Sequence, residues 1–312
     1  MTKTTLICGS LAFDKIMQYK GRFGETLLAD QLHKVNVSFL VPTLRTEYGG
    51  CAANIAYNLK MLGGDPLIMG TIGQDGGEYL ERFEQLGIAT RAIRKIAHAY
   101  TAQCFVTADL DNNQINAFHP GAMEYSQENN VADNGALRLA IIGPDGRDGM
   151  LKHARDCAAN NVPFMFDPGQ QLPMFSGKEL IEFINQATYL AANDYEFEML
   201  MDRTGLTLPD IAGRLEALIV TRGEKGSEIY ANGERHVIPS VEAAAVVDPT
   251  GCGDAYRAGL LFGIVNGKDW PTTGRLASLM GAMKIASPGG QNHTATAEQI
   301  AERFNAEFGY RY

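Results

Sequence analysis

Short apolar runs alternate with stretches of helical periodicity along most of this 312-residue chain, and that alternation leaves few folds open. The runs fall at 6–9, 66–72, 139–142, 163–167, 189–192 and 218–221. Between them, spacing predicts helices at 51–62, 77–86, 149–160 and 195–203, and two more at 252–266 and 275–287 close the chain. In the 51–62 segment Ile55, Leu59 and Leu62 share one face, and Gly63 stands where a C-terminal cap glycine belongs. Strands buried on both faces read as continuous apolar runs, and the helices between them serve as crossovers. The expectation is an α/β fold with a doubly wound, mostly parallel sheet. Glycine, at 34 residues with no collagen period, fits a chain of many tight turns.

Two segments break the rhythm. Residues 15–48 have weak helical periodicity and alternating pieces such as Lys34-Val-Asn-Val-Ser-Phe-Leu40. Residues 95–120 hold Gln103-Cys-Phe-Val-Thr-Ala108 and Gln114-Ile-Asn-Ala-Phe118 on either side of an Asp/Asn cluster at 109–113, which reads as a hairpin. Together they predict a small β-sheet lid over the carboxyl edge of the main sheet, the edge where open α/β sheets bind ligands. The main domain is then 1–14, 49–94 and 121–312, and the lid 15–48 and 95–120.

Composition narrows the partners. The balance of 27 basic against 36 acidic residues gives a net charge of −9, so neither nucleic acid nor a membrane surface is expected as a partner. The apolar runs are too short for a membrane helix, and Asp14 and Lys15 come too early for a signal sequence, so a cytoplasmic location is expected. Cysteines 8, 51, 104, 157 and 252 form no C-x-x-C pair, which argues against zinc or a disulfide framework and for buried thiols as small filler. The histidines are scattered, and Trp270 beside Pro271 reads as an anchor at a helix start.

The chemistry concentrates in Val247-Asp-Pro-Thr-Gly-Cys-Gly-Asp-Ala-Tyr-Arg-Ala-Gly259. An apolar run at 244–247, read as a core strand, leads through a glycine turn into an apolar helix. Backbone N–H groups of Gly251, Cys252 and Gly253 would be free at that helix start and form an anion site. Asp254 falls in the first turn, where the helix dipole favours a carboxylate. An anion hole beside a fixed carboxylate suits phosphoryl transfer to a hydroxyl; the simpler alternative is an Asp capping a helix. The spacing fits neither a dinucleotide-binding glycine motif nor a P-loop.

Three weaker motifs accompany it. Tyr48-Gly-Gly-Cys-Ala-Ala-Asn54 lets a ligand approach backbone, and Asn54 can both donate to and accept from a diol. Asn193 and Glu196, three apart at a helix start, form either a capping box or a water-mediated Mg²⁺ site. Thr221-x-Gly223-x-x-Gly226 is a loop that can wrap a phosphate or a base.

Taken in order with Gly9-Ser10-x-x-x-Asp14, these motifs resemble the ribokinase family, the PfkB-type carbohydrate and nucleoside kinases. Longer stretches resemble the bacterial ribokinase-like adenosine kinases: Gly21-Arg-Phe, His33-Lys-Val-x-Val-Ser-Phe-Leu-Val41, Phe118-His-Pro-Gly-Ala-Met123 and Asp167-Pro-Gly-Gln-Gln-Leu172. The resemblance implies an ATP-dependent kinase acting on a ribose 5′-hydroxyl, adenosine to AMP first, with a sugar kinase or a non-catalytic binder on the same fold as alternatives. It makes Asp254 the general base and Gly251, Cys252 and Gly253 the anion hole. Ser10, Asp14, Gly50 and Asn54 would grip the ribose, and Ser38, Phe118, Gln170 and Gln171 would complete the substrate site, the glutamines near the base. Asn193, Thr221, Gly223, Gly226, Gly290 and Asn292 would border ATP. Asn193 and Glu196 would order Mg²⁺ through water, and Asp248 and Thr250 would hold K⁺. The resemblance also implies a homodimer through the lid. Cys104 stands where adenosine-specific relatives carry a stacking aromatic, which leaves Phe105 and Phe118 as the aromatic candidates.

Overall fold

The structure, a computed structural model, describes residues 3–27 and 36–312. Its main element is a sheet of β1 (Thr5–Cys8), β4 (Pro66–Gly73), β5 (Ile93–Ile96), β8 (Leu139–Ile142), β9 (Phe164–Phe166), β10 (Tyr189–Asn193), β11 (Ala217–Thr221), β12 (Ser227–Ala231) and β13 (Glu234–Ile238). In space the order is β13-β12-β11-β10-β9-β8-β1-β4-β5, parallel from β11 to β5, with β12 and β13 added antiparallel at one edge. A second sheet of β2 (Ala12–Gln18), β3 (Thr43–Gly49), β6 (Ala102–Ala108) and β7 (Gln114–His119) has the order β3-β2-β6-β7. Its β6–β7 pair is the hairpin expected around the 109–113 cluster. The short helix α1 (Phe23–Thr26) follows β2.

The alternation of side chains along the strands builds two cores. Ile7, Ile141 and Ile219 point to one face, with Ala52, Ile55, Tyr79, Phe83, Leu260 and Ala277. Their neighbours Leu6, Ala140, Ile142, Leu218 and Val220 point to the other, with Met150, Ala154, Phe183 and Leu200. The first face is covered by α2 (Cys51–Met61), α3 (Gly77–Gln85), α8 (Cys252–Val265) and α9 (Trp270–Ile285). The second is covered by α4 (Arg147–Ala159), α5 (Gly177–Gln186), α6 (Asp194–Thr204) and α7 (Leu208–Ala212). Helix α10 (Ala297–Phe308) packs Ile300 and Phe304 on a third cluster with Leu276 and Leu279. Truncating one of these large side chains to alanine costs ~2–5 kcal/mol.

Strand β1 lies between β4 and β8, so the chain winds away from it in both directions. Crevices open at such a switch point, beyond the carboxyl ends of the strands. Gly9 and Ser10 leave β1 there, and the Ser10 N–H donates to Pro144 O at 2.9 Å, just past β8.

The strand read at 244–247 is absent. The edge of the sheet is formed by the β12–β13 hairpin, and Val246 and Val247 are 80% and 55% exposed. Val246 lines a surface cleft instead. Helices α5 and α10 went unread although each opens on a capping box, Ser176 with Glu179 and Thr296 with Gln299. In the alternating piece at 34–40, Lys34 and Val35 lie outside the described residues, as does His33; residues 36–40 form no strand. Among the described residues no helix is long and apolar enough to cross a membrane.

Candidate active site

Helix α8 begins at Gly251, whose φ of 78° lies in the left-handed region. A side chain there would press on the Gly290 backbone, 3.1 Å from its Cα. Gly290 is hemmed in by Asn54, whose Oδ1 would be 2.4 Å from an added Cβ. Gly50, at φ 94°, leaves no room either: a Cβ would meet Ser10 O at 2.5 Å. Three loops, before α2, before α8 and after α9, therefore approach closely around Asn54 because Gly50, Gly251 and Gly290 carry no side chain.

Asp254 sits at the centre. Its Oδ2 accepts a hydrogen bond from Asn54 Nδ2 at 2.8 Å, so its carboxylate does not cap its own helix. Burial pushes the carboxyl up to about 6, with the nearby Asp167 adding to the rise; the Asn54 amide and Arg257 act against it. Asn54 is buried and fixed from behind: Gln291 Nε2 donates to its Oδ1 at 3.1 Å and to Tyr79 Oη at 2.7 Å. A hydrogen bond to a charged group contributes ~1.5–3 kcal/mol, which here orients the carboxylate.

One helical turn on, Arg257 is buried with Asp167, Nε and Nη2 donating to the two carboxylate oxygens at 3.2 and 2.9 Å. Burial disfavours this guanidinium's charge, but the carboxylates of Asp167, Glu196 and Asp254 together outweigh burial and hold its pKa above the usual value. Arg257 also lines a cleft of about 590 Å³ that runs past Gly253, Cys252 and Pro249 to Thr221, Gly223 and Gly226. That volume suits a small-molecule ligand the size of a nucleotide. Of the N–H groups expected to be free, that of Cys252 closes a turn onto Pro249 O at 3.1 Å, while those of Gly251 and Gly253 make no hydrogen bond among the described residues.

Across the crevice stand Ser10, Asp14 and the 169–174 turn. Ser10 Oγ accepts from Cys51 N at 3.1 Å. The Cys51 thiol faces Ser10, Gln170, Asp167 and Asp254, and burial pushes its pKa well up. Asp14, on β2, is pushed up to about 6 by burial, then by Glu47 and Asp248. Gly49 makes room for it, since a Cβ there would lie 2.6 Å from Asp14 Oδ2. Phe118 is 52% exposed on β7, and Cys104 pairs with it across β6. Gln170 is exposed and Gln171 half-buried. Ser38 is exposed, outside helices and strands, and no bond ties it to the cluster.

Asn193 and Glu196 form a reciprocal capping box, Glu196 N to Asn193 Oδ1 at 2.8 Å and Asn193 N to Glu196 Oε2 at 2.9 Å. Gly290 packs on Asn54, and Asn292 Nδ2 reaches Glu47 Oε2 on β3 at 2.6 Å; neither lines the cleft. At the Asp248–Thr250 turn, where K⁺ is expected, the Asp248 oxygens have protein donors. Both Asp248 carboxylate oxygens already accept backbone N–H groups, from Thr250 at 2.9 Å and Gly289 at 2.7 Å. Its carbonyl accepts from Lys284 Nζ at 2.8 Å. Arg257, Lys284 and Gln291 were not singled out from sequence; the available signal was a cation within an otherwise apolar stretch, Arg257 in 255–265 and Lys284 in 276–285.

The pfkB family carbohydrate kinase profile matches residues 22–297. The nucleoside kinase of Burkholderia thailandensis, solved in complex with inosine, is 52% identical with a TM-score of 0.89, over 98% of this chain and 99% of that one. Its complex with ADP and inosine gives 53% and 0.87, over 98% and 97%. The nucleoside kinase of Methanocaldococcus jannaschii is 34% identical over 86% of this chain and 89% of its own, and the ribokinase of Bacillus subtilis 25% over 88% and 93%.

Proposed function

The chain belongs to the pfkB family of carbohydrate kinases, and from that premise we propose that it transfers the terminal phosphoryl group of ATP to the 5′-hydroxyl of a purine nucleoside, adenosine or inosine. The observation that carries this reading is the placement of Asp254. It is held by Asn54, directly after Gly253 and one helical turn before Arg257, both of which line the nucleotide-sized cleft. Asp254 takes the proton of the attacking hydroxyl. The N–H groups of Gly251 and Gly253 face the charge that develops on the phosphoryl oxygens. Arg257 Nη1, which has no protein partner among the described residues, lies on the same wall and adds a cation there. Ser10, Asp14 and Asn54 orient the ribose, and Phe118, Gln170 and Gln171 meet the base. The similarity to a nucleoside kinase solved with inosine supports a nucleoside over a free sugar.

The donor set fits Mg²⁺ only as an ion carried mainly by nucleotide phosphates and water. No group of three His, Cys, Asp or Glu able to hold a metal exists among the described residues. Glu196 keeps one carboxylate oxygen outside the capping box and faces Arg257 and Asp167, so it would hold the water shell; Mg²⁺ would supply charge neutralisation to the phosphates. The test is incubation with MgATP and adenosine or inosine, with the product identified by mass spectrometry. Nucleoside 5′-monophosphate and ADP in equal amounts are expected. ADP without a phosphorylated nucleoside would refute the proposal.

A further inference from the structure

Lys284 lies on the last turn of α9, inside the apolar stretch that packs Leu276, Leu279 and Met280 into the core, and it is fully buried. Its ammonium donates to Asp248 O at 2.8 Å and to Ser287 O at 3.0 Å. Those carbonyls belong to the two loops that close on each other behind the anion site. Asp248 opens the turn that ends in Asp254, and Ser287 opens the loop that carries Gly289 and Gly290. The Asp248 side chain joins the same loops, through Thr250 N and Gly289 N. Burial lowers the pKa of Lys284; Cys252, Asp248 and Asp254 act against that and favour the charged form.

A buried ammonium is costly unless oxygens surround it. Here it is placed where it offsets the carbonyl dipoles of two loops pointing at one spot. A monovalent metal ion at that spot would need the same oxygens, and two cations cannot share them. We propose that the Lys284 ammonium serves as a built-in monovalent cation behind the 251–253 turn, so that this kinase works without K⁺. Lys284 is thus a positioning residue: it fixes the turn whose N–H groups face the phosphoryl group. The inference rests on the kinase reading, and its test separates the two.

Rates with MgATP and adenosine or inosine are compared in choline, sodium and potassium chloride at constant ionic strength. The wild-type rate should agree within about twofold across the three salts. Thermal melts in the same salts should show no K⁺-specific stabilisation of the wild type, a readout that needs no activity. Lys284→Met should lose at least tenfold in kcat in choline with nucleoside affinity unchanged. Lys284→Ser, which opens room for an ion, should recover activity and gain melting temperature with K⁺ but not with choline. K⁺ activation of the wild type beyond about fivefold, or a K⁺-specific rise in its melting temperature, overturns the proposal even if the variants do not fold. So does a Lys284→Met enzyme with full kcat in choline. Failure to phosphorylate a nucleoside in any salt defeats the nucleoside reading instead, and the melts then decide the role of Lys284.

Discussion

At the α8 wall, Asp254 is held by Asn54, Arg257 by Asp167 and Lys284 by two carbonyls, all in buried or half-buried positions. The lid sheet is tied down at its ends instead. Asp75 accepts from Thr101 N and Oγ1 at 2.7 Å and from Gln103 Nε2 at 3.0 Å at the root. Asp109 gathers Phe23 N, Asp111 N and Asn113 at the tip. Between these anchors Phe105, Ile115 and Phe118 stay 40–52% exposed. The contrast teaches a division of labour. Charge-handling groups are oriented before substrate arrives, so they need no reorganisation during reaction. Of the apolar groups on the second sheet, Phe118 shares its face with Cys104 and Asp14 while Phe105 and Ile115 lie on the other face; under the proposed function it is Phe118 that substrate binding covers.

Substitutions on the two sides should therefore fail in different ways. Asp254→Asn keeps the size of the side chain and the helix start but removes the proton acceptor. It should cost 10²- to 10⁴-fold in kcat, with nucleoside affinity and folding retained. Near-wild-type turnover would remove the base from the account. Arg257→Leu strands the Asp167 carboxylate in the interior and should cost about 3 kcal/mol or more of unfolding free energy in urea titrations. Most of that loss should return in the Asp167→Asn, Arg257→Leu double variant. If the single variant is as stable as the wild type, the wall is not as tightly coupled as described.

Acid sharpens the comparison, because burial raises one carboxyl on each side to about 6. A raised value means protonation as pH falls through about 6. At pH 5 only about a tenth of each group stays ionised in the free enzyme, so kcat/KM for the nucleoside, which reports free-enzyme ionisations, should fall at least about tenfold. The nucleoside KM should rise over the same range as Asp14 loses its charge, and Asp14→Asn should flatten the KM profile while leaving the kcat profile in place. The smallest effect is expected at the lid face. Phe118→Ala should raise the nucleoside KM about fivefold, near the low end of base-stacking energies at ~1 kcal/mol. Stability should stay within about 0.5 kcal/mol, as for other surface changes.

How much of this could be read beforehand follows from sequence distance. Asp254 and its glycine turn are contiguous and precede an apolar helix, so their chemistry is visible in one glance at 248–259. The parallel sheet was legible because strands buried on both faces show as unbroken apolar runs. The partners that make the wall rigid were not: Asp167 and Arg257 are 90 residues apart, Asp248 and Lys284 36, and Asn54 and Gln291 237. Only folding brings them together. The 244–247 run misled for the opposite reason. An apolar run signals burial in a sheet, but here Val246 and Val247 are exposed and, of this run, Val246 lines the cleft. Asn193 and Glu196 show the same ambiguity, since the spacing that suits a shared ligand is also that of a capping box.

The division between a prepared wall and a substrate-covered lid is tested most directly by comparing kcat/KM for inosine and adenosine with that for ribose under saturating MgATP. A base that meets Phe118 and Gln170 adds binding energy unavailable to the free sugar, so at least one nucleoside should exceed ribose by ~10-fold or more. Ribose turned over as efficiently as either nucleoside would contradict the account.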